Sequence, residues 1–349
     1  MEKIIKNHQR LLELDVFRGF AAFYVFVFHF MADYADIVNP GTVNLPRYLT
    51  GIYGVQLFFI ISGFVIFMTL EKSKHAMDFV VSRFARLYPG YWVAVLMVVV
   101  LVRLLNLTDQ EVLLSTTAFN LTMFQHWVGI ENIDGVYWTL SVELTFYLIM
   151  LVLFMTKQLK HIEYYGLLWL SLMAAYIYKG FPNFHFLDIE NLLLYGNLFF
   201  AGILFYRIKS NGENWFRYSC LALCLFIQPF IKINIHHSLT IEPLLTSTII
   251  LIFFLLFYLF IKGKLSIITF KPLVFMGTIS YSFYLVHHNI SLIALNFLHA
   301  KHVNPYLIGL IGLAGGIIMA SLITFIIEKP SMSLIKNTYK KFFLHHANK

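Results

Sequence analysis

Several ionisable side chains stand inside otherwise apolar runs of this chain, where each is costly unless it meets a polar partner or a wet cavity. Arg18 and His29 share one such run, eleven positions apart. At 3.6 residues per turn that is about 1100°, so the two fall within about 20° of one helical stripe, roughly 16 Å apart along it. An imidazole at that depth titrates near neutral pH and suits general-base work; position alone equally admits a snorkelling arginine and a hydrogen-bonded core histidine. Arg83 and Arg86, in SRFARLYP, occupy i and i+3 just before the third apolar run. Their forks can converge on one anion, and paired guanidiniums suit phosphate; the plainer reading is a basic anchor against lipid head groups.

Glu143, in GVYWTLSVELTFY, falls about two turns into a helix and reaches a depth similar to that of His29. There a carboxylate can orient an imidazole, bind a hydroxylated ligand or serve another buried polar group. His287 and His288, in SYSFYLVHHNI, reach the same level from a further helix, and since adjacent residues do not share a helical face, one of them at most is expected to point at a site. Tyr137 and Trp138 read first as interface-belt aromatics and second as a substrate platform. Ser62 and Gly63 read as a close helix approach or as room for a narrow ligand. Glu328, in IIEKP, reads as a helix-end ion-pair partner. No ligand spacing within a helix supports a metal, so none is expected. Cys220 and Cys224 read as packing residues.

The elements that carry these groups follow from composition. Of 349 residues, 59% are hydrophobic and 13% charged, with a mean hydropathy of +0.73, whereas an ordinary soluble domain is about 25% charged. Lipid is therefore the main solvent, and only helices or closed barrels satisfy their backbone there. The apolar runs lack the period-2 alternation of barrel strands, so the expected fold is an all-α polytopic bundle. Ten runs reach spanning length, at roughly 16–32, 50–70, 88–106, 137–156, 162–178, 190–208, 216–232, 242–262, 272–296 and 305–327. The segments that would share one side carry twenty basic residues against five on the other, which places both termini in the cytoplasm. Basic residues spread over inner loops account for the net charge of +8 and argue against a nucleic-acid partner. No cleavable signal pattern precedes the first run. One membrane domain, 1–349, is expected, with a short basic tail at 329–349. The semi-polar stretch 114–124 is expected to lie at the interface or re-enter, an ordinary interfacial loop or a cover over the outer mouth of a site.

Taken in order, LDVFRGFAAFYVFVFHF, GVQLFFIISGFVI, SRFARLYPGYW, YWTLSVELTFYL, SYSFYLVHH and the closing EKP resemble the motifs of the acyltransferase 3 family of bacterial membrane O-acyltransferases, over nearly the whole chain. Val16 departs from the pattern, where the family often has Gly. The resemblance implies a stand-alone multi-pass enzyme of the inner membrane that moves an acyl group, acetyl by family analogy, from acyl-CoA to a hydroxyl of a cell-surface polysaccharide or lipid-linked glycan. It implies that His29 is catalytic, that Arg18 supports it or the donor, and that Arg83 and Arg86 form the Arg-x-x-Arg element associated with acyl-CoA; Glu143 and His287 match further motif positions. The rival reading is a glycan or lipid transporter with the same groups as a relay, but the chain lacks the broken-helix pair or inverted repeat expected of one.

Overall fold

The computed structural model describes residues 11–37, 49–104, 114–179, 188–231, 234–235, 239–240, 242–299 and 301–347. The described elements are almost entirely helical: α1 (Leu12–Ile37), α2 (Tyr53–Lys72), α3 (Ala76–Leu104), α4 (Leu114–Thr122), α5 (Trp138–Met155), α6 (Ile162–Lys179), α7 (Ile189–Asn211), α8 (Trp215–Phe226), α9 (Pro243–Ile261), α10 (Lys271–His299), α11 (Pro305–Leu322) and α12 (Lys329–Ala347). A two-residue antiparallel ladder pairs Asn234–Ile235 with Leu239–Thr240.

Among the described residues, seven stretches are long and apolar enough to cross a membrane: Leu12–Met31, Leu49–Lys72, Ala76–Leu101, Gly135–Met155, Ile189–Asn211, Pro243–Ile261 and Pro305–Phe343. The other three of the ten expected runs fall on α6, α8 and α10. With 12 residues, α8 reaches only about 18 Å, short of a hydrocarbon core of about 30 Å. Polar residues interrupt the apolar character of α6 and α10, the latter through His287, His288 and Asn289. The third helix starts twelve positions before the expected run and passes through Pro89, so Arg83 and Arg86 lie inside it. A proline ahead of an apolar run reads as a helix start, but here the helix continues across it. The expected basic tail is also helical: α11 passes through a π-helical turn, Ile323–Glu328, into α12. The Tyr339 hydroxyl on α12 donates to Asp78 Oδ1 on α3 (3.0 Å).

Close backbone crossings hold the bundle, among them those of α2 with α7 and of α1 with α10. On α2 and α7, a Cβ added at Gly63 would clash with the Phe199 carbonyl, and one at Gly202 with the Ile60 carbonyl. On α1 and α10, Gly19 and Gly277 meet in the same way, with Gly277 against the Asp15 carbonyl. In lipid, where apolar burial gives little drive between helices, such backbone approach supplies the packing. Gly63 thus meets the close-approach expectation, while its neighbour Ser62 turns toward a cavity. The 114–124 stretch contains the short α4, tied to α3 by Trp92 Nε1 donating to the Leu121 carbonyl and Tyr88 donating to the Thr122 carbonyl (both 2.8 Å).

Candidate active site

Helices α1, α2, α3, α5 and α10 enclose a cavity of about 120 Å³ whose wall includes Arg18, Arg83, Arg86, Ser62, Glu143 and Tyr284. Three guanidiniums from two helices converge there, with different partners. Arg18 pairs with Asp15 at 3.2 Å. Arg86 forms an ion pair with Glu328, which is 1% exposed and also accepts the Ser282 hydroxyl at 2.9 Å. The π-helical turn that ends at Glu328 brings this carboxylate inward, so the helix-end pairing expected of it occurs inside the bundle. Arg83 donates to Ser82 Oγ at 3.3 Å, makes no ion pair among the described residues and keeps a buried Nε with no hydrogen-bond partner among them. Lys336 of α12 stands within electrostatic reach of Arg83 and Arg86.

Glu143 sits on this wall, accepting the Ser62 hydroxyl at 2.5 Å and lying within electrostatic reach of Arg18. It therefore stands with the arginines. The depth expected from its sequence position, level with His29, did not anticipate that its side chain would be held by α2.

The histidines form a second level. The His29 ring centroid lies 5.4 Å from that of His287 and 4.8 Å from that of His288. Both adjacent histidines thus reach His29, against the expectation that one at most would. His287 is buried, and because a carbonyl only accepts, its Nδ1 donates to the Tyr284 carbonyl (2.7 Å). Its Nε2 is buried with no hydrogen-bond partner among the described residues. His288 Nδ1 meets Asp134 Oδ1 at 2.8 Å. Asp134 also accepts Asn289 Nδ2 and, at 3.2 Å, the Val136 N–H, and so caps the turn leading into α5. Burial alone raises the Asp134 pKa, but the charge and hydrogen bond of His288, together with the Val136 N–H, outweigh it and hold the carboxyl below its usual range.

Tyr284 joins the levels. It lines the arginine cavity, its ring lies 5.5 Å from that of His287, and its hydroxyl bonds Thr139 Oγ1 at 2.8 Å and donates to the Val136 carbonyl at 2.9 Å. Tyr137 is fully buried and donates to the Leu285 carbonyl at 3.1 Å, so it is no interface-belt residue: the turn before α5 tucks it beneath α10. Trp138 packs beside Tyr195, with ring centroids 5.6 Å apart. Neither lines the cavity. Among the described residues no group of three His, Cys, Asp or Glu side chains is arranged to hold a metal.

Asp134, His288 as a second ring at the site, and Tyr284 are the parts that residue spacing did not single out. The available signal was Asp-Gly just ahead of a helix, an N-cap pattern that marks the position without showing what would cover it.

The family model for the acyltransferase domain, Acyl_transf_3, matches residues 11–328. Nodulation protein 10 of Rhizobium leguminosarum bv. viciae is 36% identical over 113 residues, covering 27% of this chain and 31% of that protein's own length. ORF330 of Acidianus two-tailed virus, whose name marks it provisionally as an acetyltransferase, is 26% identical over 282 residues, 77% of this chain and 80% of that one. No solved structure gives a significant match.

Proposed function

The chain belongs to the Acyl_transf_3 family and is an acyltransferase of multi-pass helical build, and from that premise we propose that it carries an acyl group, acetyl in the simplest case, from acyl-CoA to a hydroxyl of a cell-surface polysaccharide or its lipid-linked glycan precursor. The acetyltransferase name of the viral relative supports the acetyl choice. The proposed setting is the bacterial inner membrane with both termini cytoplasmic, as the distribution of basic residues favours.

The observation that carries the reading is the two-level arrangement, with an arginine-rich cavity at one depth, imidazoles at another, and Tyr284 in contact with both. A CoA molecule has the same division, anionic phosphates at one end and a thioester at the tip of a thin arm. In this mechanism the phosphates lie against Arg83, Arg86 and Arg18, with Arg83 the guanidinium least committed to a carboxylate. The arm follows the cavity toward the histidines. The acceptor hydroxyl gives its proton to His29 as its oxygen attacks the thioester carbonyl. The new O–C bond forms, the C–S bond breaks, and the proton leaves on the CoA sulfur. Glu143, on the cavity wall beside Arg18, orders the guanidiniums.

The test is transfer of label from radiolabelled acetyl-CoA to a cell-envelope glycan fraction by purified protein in nanodiscs. Wild type transfers label, while His29→Ala and the double variant Arg83→Ala/Arg86→Ala do not. Full activity in His29→Ala removes the proposed base, and absence of both transfer and acetyl-CoA binding in wild type removes the donor.

A further inference from the structure

Asp134 is 3% exposed, and its carboxylate meets His288 Nδ1, Asn289 Nδ2 and the Val136 N–H. A carboxylate held by several donors stays ionised, yet no lysine or arginine pairs with it among the described residues; the charged partners facing it are histidines. The titratable groups around it are His287, His288 and Tyr284 from α10, Tyr91 from α3, and Tyr137 from the turn before α5. This negative charge sits one imidazole away from His29, because the His288 ring lies between, bonded to Asp134 and 4.8 Å from the His29 ring.

We infer that Asp134 is the positioning carboxylate of the histidine cluster, acting through His288 on the proton that His29 takes from the acceptor hydroxyl. This rests on the acyl-transfer reading above and adds a residue to it. Two effects follow. The Asp134 carboxylate accepts the His288 Nδ1–H and thereby fixes that ring in one tautomer, with Nε2 as its basic atom. It also sets a buried negative charge in place before the reaction, so that when the hydroxyl proton moves to His29 the imidazolium forms in a field already arranged for it. The proton then passes from His29 to the departing CoA sulfur, and the cluster returns to its starting charge.

The test compares wild type, Asp134→Asn, His288→Ala and the double variant in nanodiscs, with ¹⁵N-labelled histidine, reading kcat, KM for acetyl-CoA and imidazole ¹⁵N shifts. Asn retains the N-cap, so the variant is suited to fold. Asp134→Asn lowers kcat by roughly 100-fold or more, as loss of the right histidine tautomer does elsewhere, with KM for acetyl-CoA unchanged. The double variant is no worse than the poorer single one, because the two residues act as a unit. The Nδ1-protonated signal of His288, assigned by its disappearance in His288→Ala, is lost in Asp134→Asn. Wild-type kcat in Asp134→Asn, losses that multiply in the double variant, or an unchanged His288 signal overturns the inference. If wild type transfers no acyl group, the acyl-transfer reading fails by itself, and the ¹⁵N comparison still decides whether Asp134 sets the His288 tautomer.

Discussion

Arg83 and Arg86 are three residues apart on one helix and line one cavity, yet their replacement should have different consequences. Arg86 is bound to Glu328, a carboxylate 1% exposed whose other described partner is the Ser282 hydroxyl at 2.9 Å. Arg86→Met removes the cation and leaves the carboxylate buried. Breaking a buried pair from one side costs about 3–5 kcal/mol. Replacing both members, Arg86→Met with Glu328→Gln, removes the stranded charge and keeps an acceptor for Ser282, so most of that loss should return, since exchange of a whole buried pair is often near neutral. Arg83 has no ion pair to break among the described residues, so Arg83→Gln should cost much less stability than Arg86→Met. It should instead weaken acetyl-CoA by the value of a charge-assisted hydrogen bond, about 1.5–3 kcal/mol, which is roughly a 10- to 100-fold rise in KM. The chain supplies its own unfolding reporter: Cys220 and Cys224 are free and buried, so a thiol-reactive dye responds when the bundle opens on heating. Arg86→Met melting with wild type, or the double variant melting with Arg86→Met, would refute the assignment of Glu328 as a charge that depends on Arg86.

Other outcomes follow from the same structure. Gly63→Leu drives a side chain into the Phe199 carbonyl of α7 and should destabilise the protein by about 1–3 kcal/mol or more, seen as a lower melting temperature with the same dye. Lys336→Glu places a negative charge near Arg83 and Arg86 and should raise KM for acetyl-CoA while leaving kcat close to wild type, measured by steady-state transfer. His126 Nδ1 lies 3.3 Å from the Asp188 carboxylate, and that neighbouring acid raises the histidine pKa against the opposing effect of burial. A raised folded pKa gives stability that is full below the unfolded value of about 6.5 and is lost as pH rises through the folded value. The melting difference between wild type and His126→Gln should therefore shrink over that window; a difference independent of pH would exclude the pair as its source.

How far the site was legible in the sequence depended on where each residue stood. Arg18, Arg83 and Arg86 converge on one cavity; for Arg18 the signal was its position within an apolar run, because an ionised group in lipid needs an interior destination, and for Arg83 and Arg86 it was their i, i+3 spacing, although the run before which they were placed proved to start ahead of them. Glu143 was assigned a depth by counting turns, but depth along an axis does not determine which neighbour holds a side chain, and Ser62 of α2 holds this one. Adjacent residues point to different faces of a helix when it is seen as a cylinder from one side. A ring reaching across from α1 is wide enough for His29 to meet both positions on α10. Asp134 stands in a turn, where no periodicity reports burial. Membrane crossings were read from apolar length, which finds α2 and α9 readily, overstates α8, and misses that α12 is a helix, because its amphipathic pattern carries too many lysines to resemble a span.

The crossing at Gly19 and Gly277 joins α1 and α10 backbone to backbone, and each helix contributes to both levels of the site: Arg18 and His29 from one, Tyr281 and His287 from the other. The separation between the two levels is therefore fixed by helical rise, about 16 Å over the eleven residues from Arg18 to His29, and no loop can adjust it. In the proposed reaction this pair of helices is a gauge. A donor seated by its phosphates presents its thioester to the histidines only when its carrier arm matches the span, so a donor with a shorter arm would be refused by measurement, without any side chain having to recognise it.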